Sequence, residues 1–470
     1  MARASELMSC TSALVSVMRG EPTYADYNQV SAMVRDAIEA LHLPSDFIVS
    51  GHKVVLKPNW VKEHDERNPG PDSWMHVVTH PAIIEAVCGW VASKLVNAGS
   101  IVVCDAPQTD SSFRRLTNYC QLDEMLGRLR KNYPGISIQI LDLRPEEWHA
   151  VDGITVSKTK LEGDPMGATR VELNGDSEFL NFSGLGRLYG ASFDMAETNS
   201  MHQGEVHQYL LCRTPMEADV FINLPKLKTH KKVGITCALK NLVGINANKN
   251  WLPHHTEGTP DQGGDQFPLS TTCSKLEHSW MGTAKRLAKS SPLVSRILVP
   301  LKKLGRLVFG DTQRVVRSGN WHGNDTCWRM VLDLNKCLFH FNGEGKPRNY
   351  PLKYLAVVDG IVGGEGNGPM APDPVASGVI IAGTSPIAVD CTAAMIMGFD
   401  WKKIRMLKQV FEVSKRKILN FKCEDIRVVS NRSCWNGPLE GIEEHFHFRP
   451  HFGWVGAIES ATKPGKGTGS

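Results

Sequence analysis

The sequence predicts an α/β fold: an open, mostly parallel sheet with helices on both faces, plus an inserted basic helical segment. Three observations point there. Residues 53–104 read as strand, helix, strand; apolar runs at 218–224, 354–358 and 378–382 read as further strands; and polar residues punctuate four strand ends. Parallel neighbours need a crossover connection, and a helix is the usual one.

Residues 1–50 read as a helical lead-in, since Ala32, Val34, Ala37, Ile38 and Leu41 recur at roughly helical spacing before Pro44. Strand 53–57 (KVVLK) stops at Pro58. Beyond Pro81, residues Ile83, Ile84, Val87, Trp90, Val91 and Leu95 share one helical face. Pro81 suits the first helical position and Gly99 the residue past the end. Strand 101–104 (IVVC) then runs into Asp105-Ala106-Pro107. In such a unit both strand C-termini and the helix N-terminus lie on one sheet edge. Lys57, Asn59, His80 and Asp105 should therefore gather around a crevice of the kind in which open α/β sheets bind ligands.

The third strand, 218–224 (ADVFINL), leads into Pro225-Lys226-Leu227-Lys228-Thr229-His230, and Gly244 closes a short helix over 235–243. The fourth, 354–358, runs into Asp359-Gly360 and a glycine-rich loop, 363–369 (GGEGNGP). The fifth, 378–382, precedes Ser385-Pro386, an N-cap and first-turn pair, and a helix that carries Asp390 and stops at Gly398. Residues 426–429 and 446–458 read as strands, and 108–215 give only loops and short strands. The expected organisation is a lead-in (1–50), a first half of the α/β core (51–275), a basic amphipathic insertion (276–320), a second half of the core (321–460) and a disordered tail (461–470).

Composition narrows the function. With 53 basic and 49 acidic residues the net charge is +4, too small to argue for nucleic acid as a partner. None of the 12 cysteines forms a C-x-x-C pair, so no zinc or iron–sulfur site is expected and the cysteines read as small core residues in a reducing compartment. No signal peptide and no membrane-spanning stretch are read, which makes the cytoplasm the expected location. Residues 278–308 contain no acidic residue, and within 283–308 basic and apolar residues interleave. That segment could lie on an anionic membrane surface at the inner face, or pack on the protein with its lysines in water.

The candidate chemistry sits at the strand ends. Lys57, Lys226 and Lys228 could clamp phosphate or carboxylate groups, supported by Asn59, His80, Lys240, Asn241 and Glu365. Asp105 and Asp359 could hold a divalent cation, Mg²⁺ or Mn²⁺, or each could simply cap a turn. Asp359 and Asp390 are candidate acid–base groups. His230, set among Lys226, Lys228, Lys231 and Lys232, should have a lowered pKa and is the candidate general base.

The strings KPNW (57–60), THP (79–81), CDAP (104–107), NLPKLKTHKKVGITCALKNLVG (223–244), VVDGIVGGEGNGP (357–369) and GTSPIAVD (383–390) together resemble the domain of unknown function 362 family over roughly 53–400. GNDTCWR (323–329) and NKNWLPHH (248–255) resemble a branch associated with bacterial surface-polysaccharide gene sets. Some members carry a ferredoxin-like domain with two four-cysteine clusters. This chain lacks that pattern, so the resemblance implies no iron–sulfur cofactor here. The expectation is an enzyme for an anionic small molecule or glycan-lipid intermediate. The alternatives are a non-catalytic scaffold at the membrane face and a redox protein.

Overall fold

The computed structural model describes residues 13–151, 154–192, 194–269 and 315–460. The expected membrane-binding segment 283–308 and the tail 461–470 lie outside them. Among the described residues no helix is long and apolar enough to cross a membrane.

One large sheet organises the chain. Its strands are β1 (Leu14–Arg19), β2 (Lys53–Pro58), β3 (Ser100–Asp105), β4 (Ser137–Asp142), β5 (Val220–Leu224), β6 (Lys226–His230), β7 (Gly234–Thr236), β8 (Lys353–Asn367), β9 (Ala371–Gly383), β10 (Arg427–Ser430) and β11 (Gly437–Pro438). Their order is β11-β10-β1-β9-β8-β5-β2-β3-β4, with β6 alongside β8 and β7 on β6. The block β8-β5-β2-β3-β4 is parallel throughout. The pairs β8–β9 and β9–β1 are antiparallel, so the sheet is mixed rather than purely wound.

Alternation along the strands builds two cores. Val54, Leu56, Ile101, Val103 and Ile222 pack under α1 (Tyr27–Glu39), α2 (Pro81–Leu95) and α3 (Leu122–Asn132). Val55, Val102, Phe221, Ala356 and Ile381 pack on the other face with α4 (Ala238–Asn241), α5 (Cys327–His340) and α6 (Pro386–Met397). Local chemistry fixes the helix ends. His80 caps α2 by accepting from Ala82 N–H, with Pro81 behind it. Ser385 caps α6, and Gly398, at φ +94°, ends it in the left-handed conformation that favours glycine.

Several expected elements differ. The lead-in does contain α1, but a strand precedes it: β1 pairs with β9 and β10, partners more than 350 residues away along the chain. The segment 226–230 is a strand, and 235–243 divides into β7 and the short α4. The glycine-rich "loop" 363–369 is the distal half of β8, which with β9 forms a long hairpin arm. Two of its glycines give room: a Cβ on Gly364 would stand 2.9 Å from the His76 carbonyl oxygen, and one on Gly363 2.8 Å from the Phe448 ring, while Gly366 takes a φ of +71°. Residues 446–458 form no strand; their backbone is irregular apart from a turn of 3₁₀ helix at Phe452–Trp454.

Candidate functional site

The ends of β2, β3 and β5 and the last residue of α4 meet, and they meet as a buried polar framework. Lys57 is fully buried and its Nζ lies 2.7 Å from Asp105 Oδ1. It also donates to the Pro58 carbonyl at 2.8 Å and to Asn241 Oδ1 at 3.3 Å. The other Asp105 oxygen accepts from Trp60 N–H at 2.7 Å. Asn59 Nδ2 donates to Asn241 Oδ1 at 2.9 Å, and Asn241 Nδ2 donates to Asn223 Oδ1 at 2.7 Å. Lys57, Asn59, Asp105 and Asn241 are thus brought together, without the expected His80, and their polar atoms hold one another and the chain except Asn59 Oδ1, which is buried and meets no donor among the described residues.

Asp390 supports this framework from below. Its two oxygens accept from Ala238 N–H at 2.7 Å and Leu239 N–H at 3.0 Å, so it caps α4. Full burial pushes its pKa up to about 7, against the hydrogen bonds that favour the carboxylate. Because the folded value lies above the unfolded one, near 3.9, the native state binds more protons between those values and stability falls as pH rises through that window. Asp390→Asn should remove this slope. Urea unfolding at pH 5 and pH 8 should show the wild type losing roughly 2–4 kcal/mol more than the variant over that interval; equal losses would refute it.

A second buried group lies around Asp359. Lys226 Nζ stands 2.9 Å from Asp359 Oδ2, with both side chains fully buried. Tyr24 donates to Asp359 Oδ1 at 2.6 Å, and His80 N–H donates to Oδ2 at 2.8 Å. The Tyr24 ring stacks on the His80 ring with centroids 3.7 Å apart. Lys228 is buried and donates to the Val77 carbonyl. The three lysines expected to clamp an anion are therefore already partnered inside the protein.

The expected metal pair does not form either. Asp105 on β3 and Asp359 on β8 are three strand spacings apart, about 14 Å across the sheet. Each faces its own lysine. Among the described residues no group of three His, Cys, Asp or Glu converges as a metal site. Glu365 lies on the hairpin arm, where it accepts from Arg449 N–H at 2.8 Å and pairs with the Arg449 guanidinium at 3.4 Å. Asp359 and Asp390 are engaged supports rather than free acid–base groups.

What remains open lies just past β6. His230 ends β6, Lys231 and Lys232 leave it, Lys240 projects from α4, and His254 follows on the segment Pro253–Thr256. These five are electrostatic neighbours: both histidines are held well below the usual range, first by burial and then by the lysines. Burial lowers Lys231 and Lys240 and brings Lys232 down to about 7. Lys232 donates to the Ser318 carbonyl. Lys240 is only 6 % exposed, and among the described residues neither its ammonium nor that of Lys231 meets an acceptor. The nearby carboxylates are occupied: Glu66 pairs with Lys62 at 2.9 Å, and Asp265 accepts from Thr256, Asp325 and Thr326. Lys231 and His254 are partly exposed, so solvent reaches the cluster.

Of the cluster, His230 and Lys240 were expected site residues. Lys231 and Lys232 were expected only as flanks, and His254 was visible only as part of the NKNWLPHH string. Cys327, at the start of α5, adjoins Lys240 and Lys232, but burial pushes its thiol up. A separate cleft of about 680 Å³, lined by Tyr27, Trp74, His80, Glu85 and Arg128 among others, contains none of the five.

Comparison with curated proteins gives no match. A family model does match, over a shorter stretch than the 53–400 expected from the motifs, and leaves Lys57, Asn59, His80 and Asp105 outside. All five cluster residues, with Asp359 and Asp390, lie in residues 174–395, the segment whose match to the family described as Domain of unknown function (DUF362) supports that family for this chain.

Proposed function

We propose that this protein is an enzyme that binds an anionic small molecule, phosphorylated or carboxylated, at the cluster of His230, Lys231, Lys232, Lys240 and His254. One observation carries the reading: three ammonium groups share one largely buried region where the nearby carboxylates among the described residues, Glu66 and Asp265, are already engaged by other donors. A buried, unpaired cation costs several kcal/mol, and an anion from outside is the natural compensation. The two strings that resemble the polysaccharide-linked branch both reach the cluster, through His254 and Cys327. A phosphate-bearing glycan-lipid intermediate of surface-polysaccharide assembly is thus a fitting substrate class. A metal bridging Asp105 and Asp359 has no support in their positions. The scaffold reading rests on 283–308 and gains nothing from the described residues.

Titration calorimetry with inorganic phosphate and pyrophosphate tests the proposal. Lys240→Met should weaken binding about 10–100-fold, the loss of a charged hydrogen bond of roughly 1.5–3 kcal/mol. The same variant should be more stable without ligand, by about 1–3 kcal/mol, because an uncompensated buried charge has gone. Unchanged affinity in Lys240→Met would sink the proposal.

The depressed lysines add a pH signature. An anion favours their charged forms, so binding should take up protons near pH 8, where Lys232 (about 7) is largely neutral when free. Calorimetry in buffers of different ionisation enthalpy reads this directly; proton release on binding would contradict it.

A further inference from the structure

The two histidines of the cluster are not equivalent. Lys232 N–H donates to His230 Nδ1 at 3.0 Å, so that nitrogen carries the lone pair and the proton of the neutral ring sits on Nε2. His254 is the reverse. Its Nδ1 lies 2.8 Å from the Leu252 carbonyl oxygen, which can only accept, so Nδ1 carries the proton and Nε2 is left as an acceptor. Among the described residues neither Nε2 has a hydrogen-bond partner. The cluster therefore presents four donors (His230 Nε2–H and the ammonium groups of Lys231, Lys232 and Lys240) and one acceptor, His254 Nε2.

A ligand made only of anionic oxygens would satisfy the donors and set a lone pair against His254 Nε2. Protonating His254 instead would add a further cation beside Lys232, Lys240 and Lys249, the groups that with burial already depress it. The lone pair is best met by a hydrogen from the ligand. We propose that the ligand carries a hydroxyl beside its anionic group, and that His254 Nε2 accepts from that hydroxyl while His230 Nε2–H donates to the anion. This rests on the anion-binding reading above and adds a class to it: hydroxylated phosphates or carboxylates. It also transfers the role of proton acceptor from His230, whose lone pair is occupied, to His254.

The source of the donor needs separating, because a monoprotonated phosphate oxygen offers the same hydrogen as an alcohol. At pH 8 a phosphate monoester is a dianion, since its second pKa is about 6. Binding of glycerol 3-phosphate and of n-propyl phosphate at that pH therefore isolates the alcohol. The wild type should prefer glycerol 3-phosphate about tenfold, the worth of one hydrogen bond. His254→Phe should bind both esters at the n-propyl phosphate level. His230→Phe should weaken both alike. Equal affinity of the wild type for the two esters would overturn the proposal without any variant, and a preference that survives in His254→Phe would remove His254 from it. If the wild type binds neither ester nor pyrophosphate, the anion-binding reading itself has failed.

Discussion

Gly244→Ala should destabilise the protein by about 3–5 kcal/mol, as much as removing one partner of a buried ion pair. Gly244 has no positive φ to protect; what it provides is space. A Cβ there would fall far inside van der Waals contact with Asp105 Oδ1 and stand 2.6 Å from Lys57 Nζ. Neither atom can retreat. Both side chains are almost wholly buried, Asp105 is tied to Trp60 N–H, and Lys57 is tied to the Pro58 carbonyl. The added methyl group must separate the charges or push α4 off the sheet, since the Gly244 carbonyl itself accepts from Ala106 N–H at 2.8 Å. Urea unfolding near pH 7 checks this, and a loss below about 1 kcal/mol would show that the framework yields more easily than its packing implies.

Asp359→Ala should produce a loss of similar size, about 3–5 kcal/mol, by a different route. The substitution creates no clash. It strands Lys226 Nζ, the Tyr24 hydroxyl and His80 N–H, which with a longer bond from Ile361 N–H share the two carboxylate oxygens. Lys226 would keep only the Tyr24 oxygen, at 2.8 Å, as an acceptor. The double variant Lys226→Met with Asp359→Leu should recover most of the loss, because well-packed apolar side chains replace a buried pair at little cost. A double-mutant cycle is therefore the informative experiment, and a coupling under about 1 kcal/mol would mean that the pair is not acting as one unit.

The sequence made the local parts of this architecture readable and the long-range parts opaque. Strands β2 and β3 and helix α2 were evident from apolar runs, from Pro81 and from the change of period. Ser385-Pro386 announced α6 for the same reason: caps and proline act within a few residues. Of the strand-end polar residues expected to share one site, Lys57, Asn59 and Asp105 converge with Asn241, whereas His80 joins Asp359 in a separate group. Which of them stays free for a ligand could not be read, because each lysine's partner lies far along the chain: Asp105 is 48 residues from Lys57 and Asp359 is 133 from Lys226. Tyr24 gave no signal at all within the helical lead-in. The glycines of β8 misled because glycine marks loops and close strand packing alike, and only the neighbours Phe448 and His76 distinguish the two. His254 could not be separated from His230 by residue type; the difference is which nitrogen a backbone group occupies.

The position of β1 also bears on how the chain is made. Val15 lies opposite Gly383 and Val428 in the finished sheet. A ribosome adding about 5–20 residues per second needs roughly 20–70 s to travel from the first of these to its antiparallel partner. Throughout that interval the apolar segment LVSVM has been synthesised while neither of its neighbours exists. A strand made this early is thus among the last of the described strands to find its place, and until then it is a bare β-edge of the sort that other nascent chains can pair with. Production of this protein should accordingly depend on whatever shields that segment during translation more than on the refolding of its parallel core.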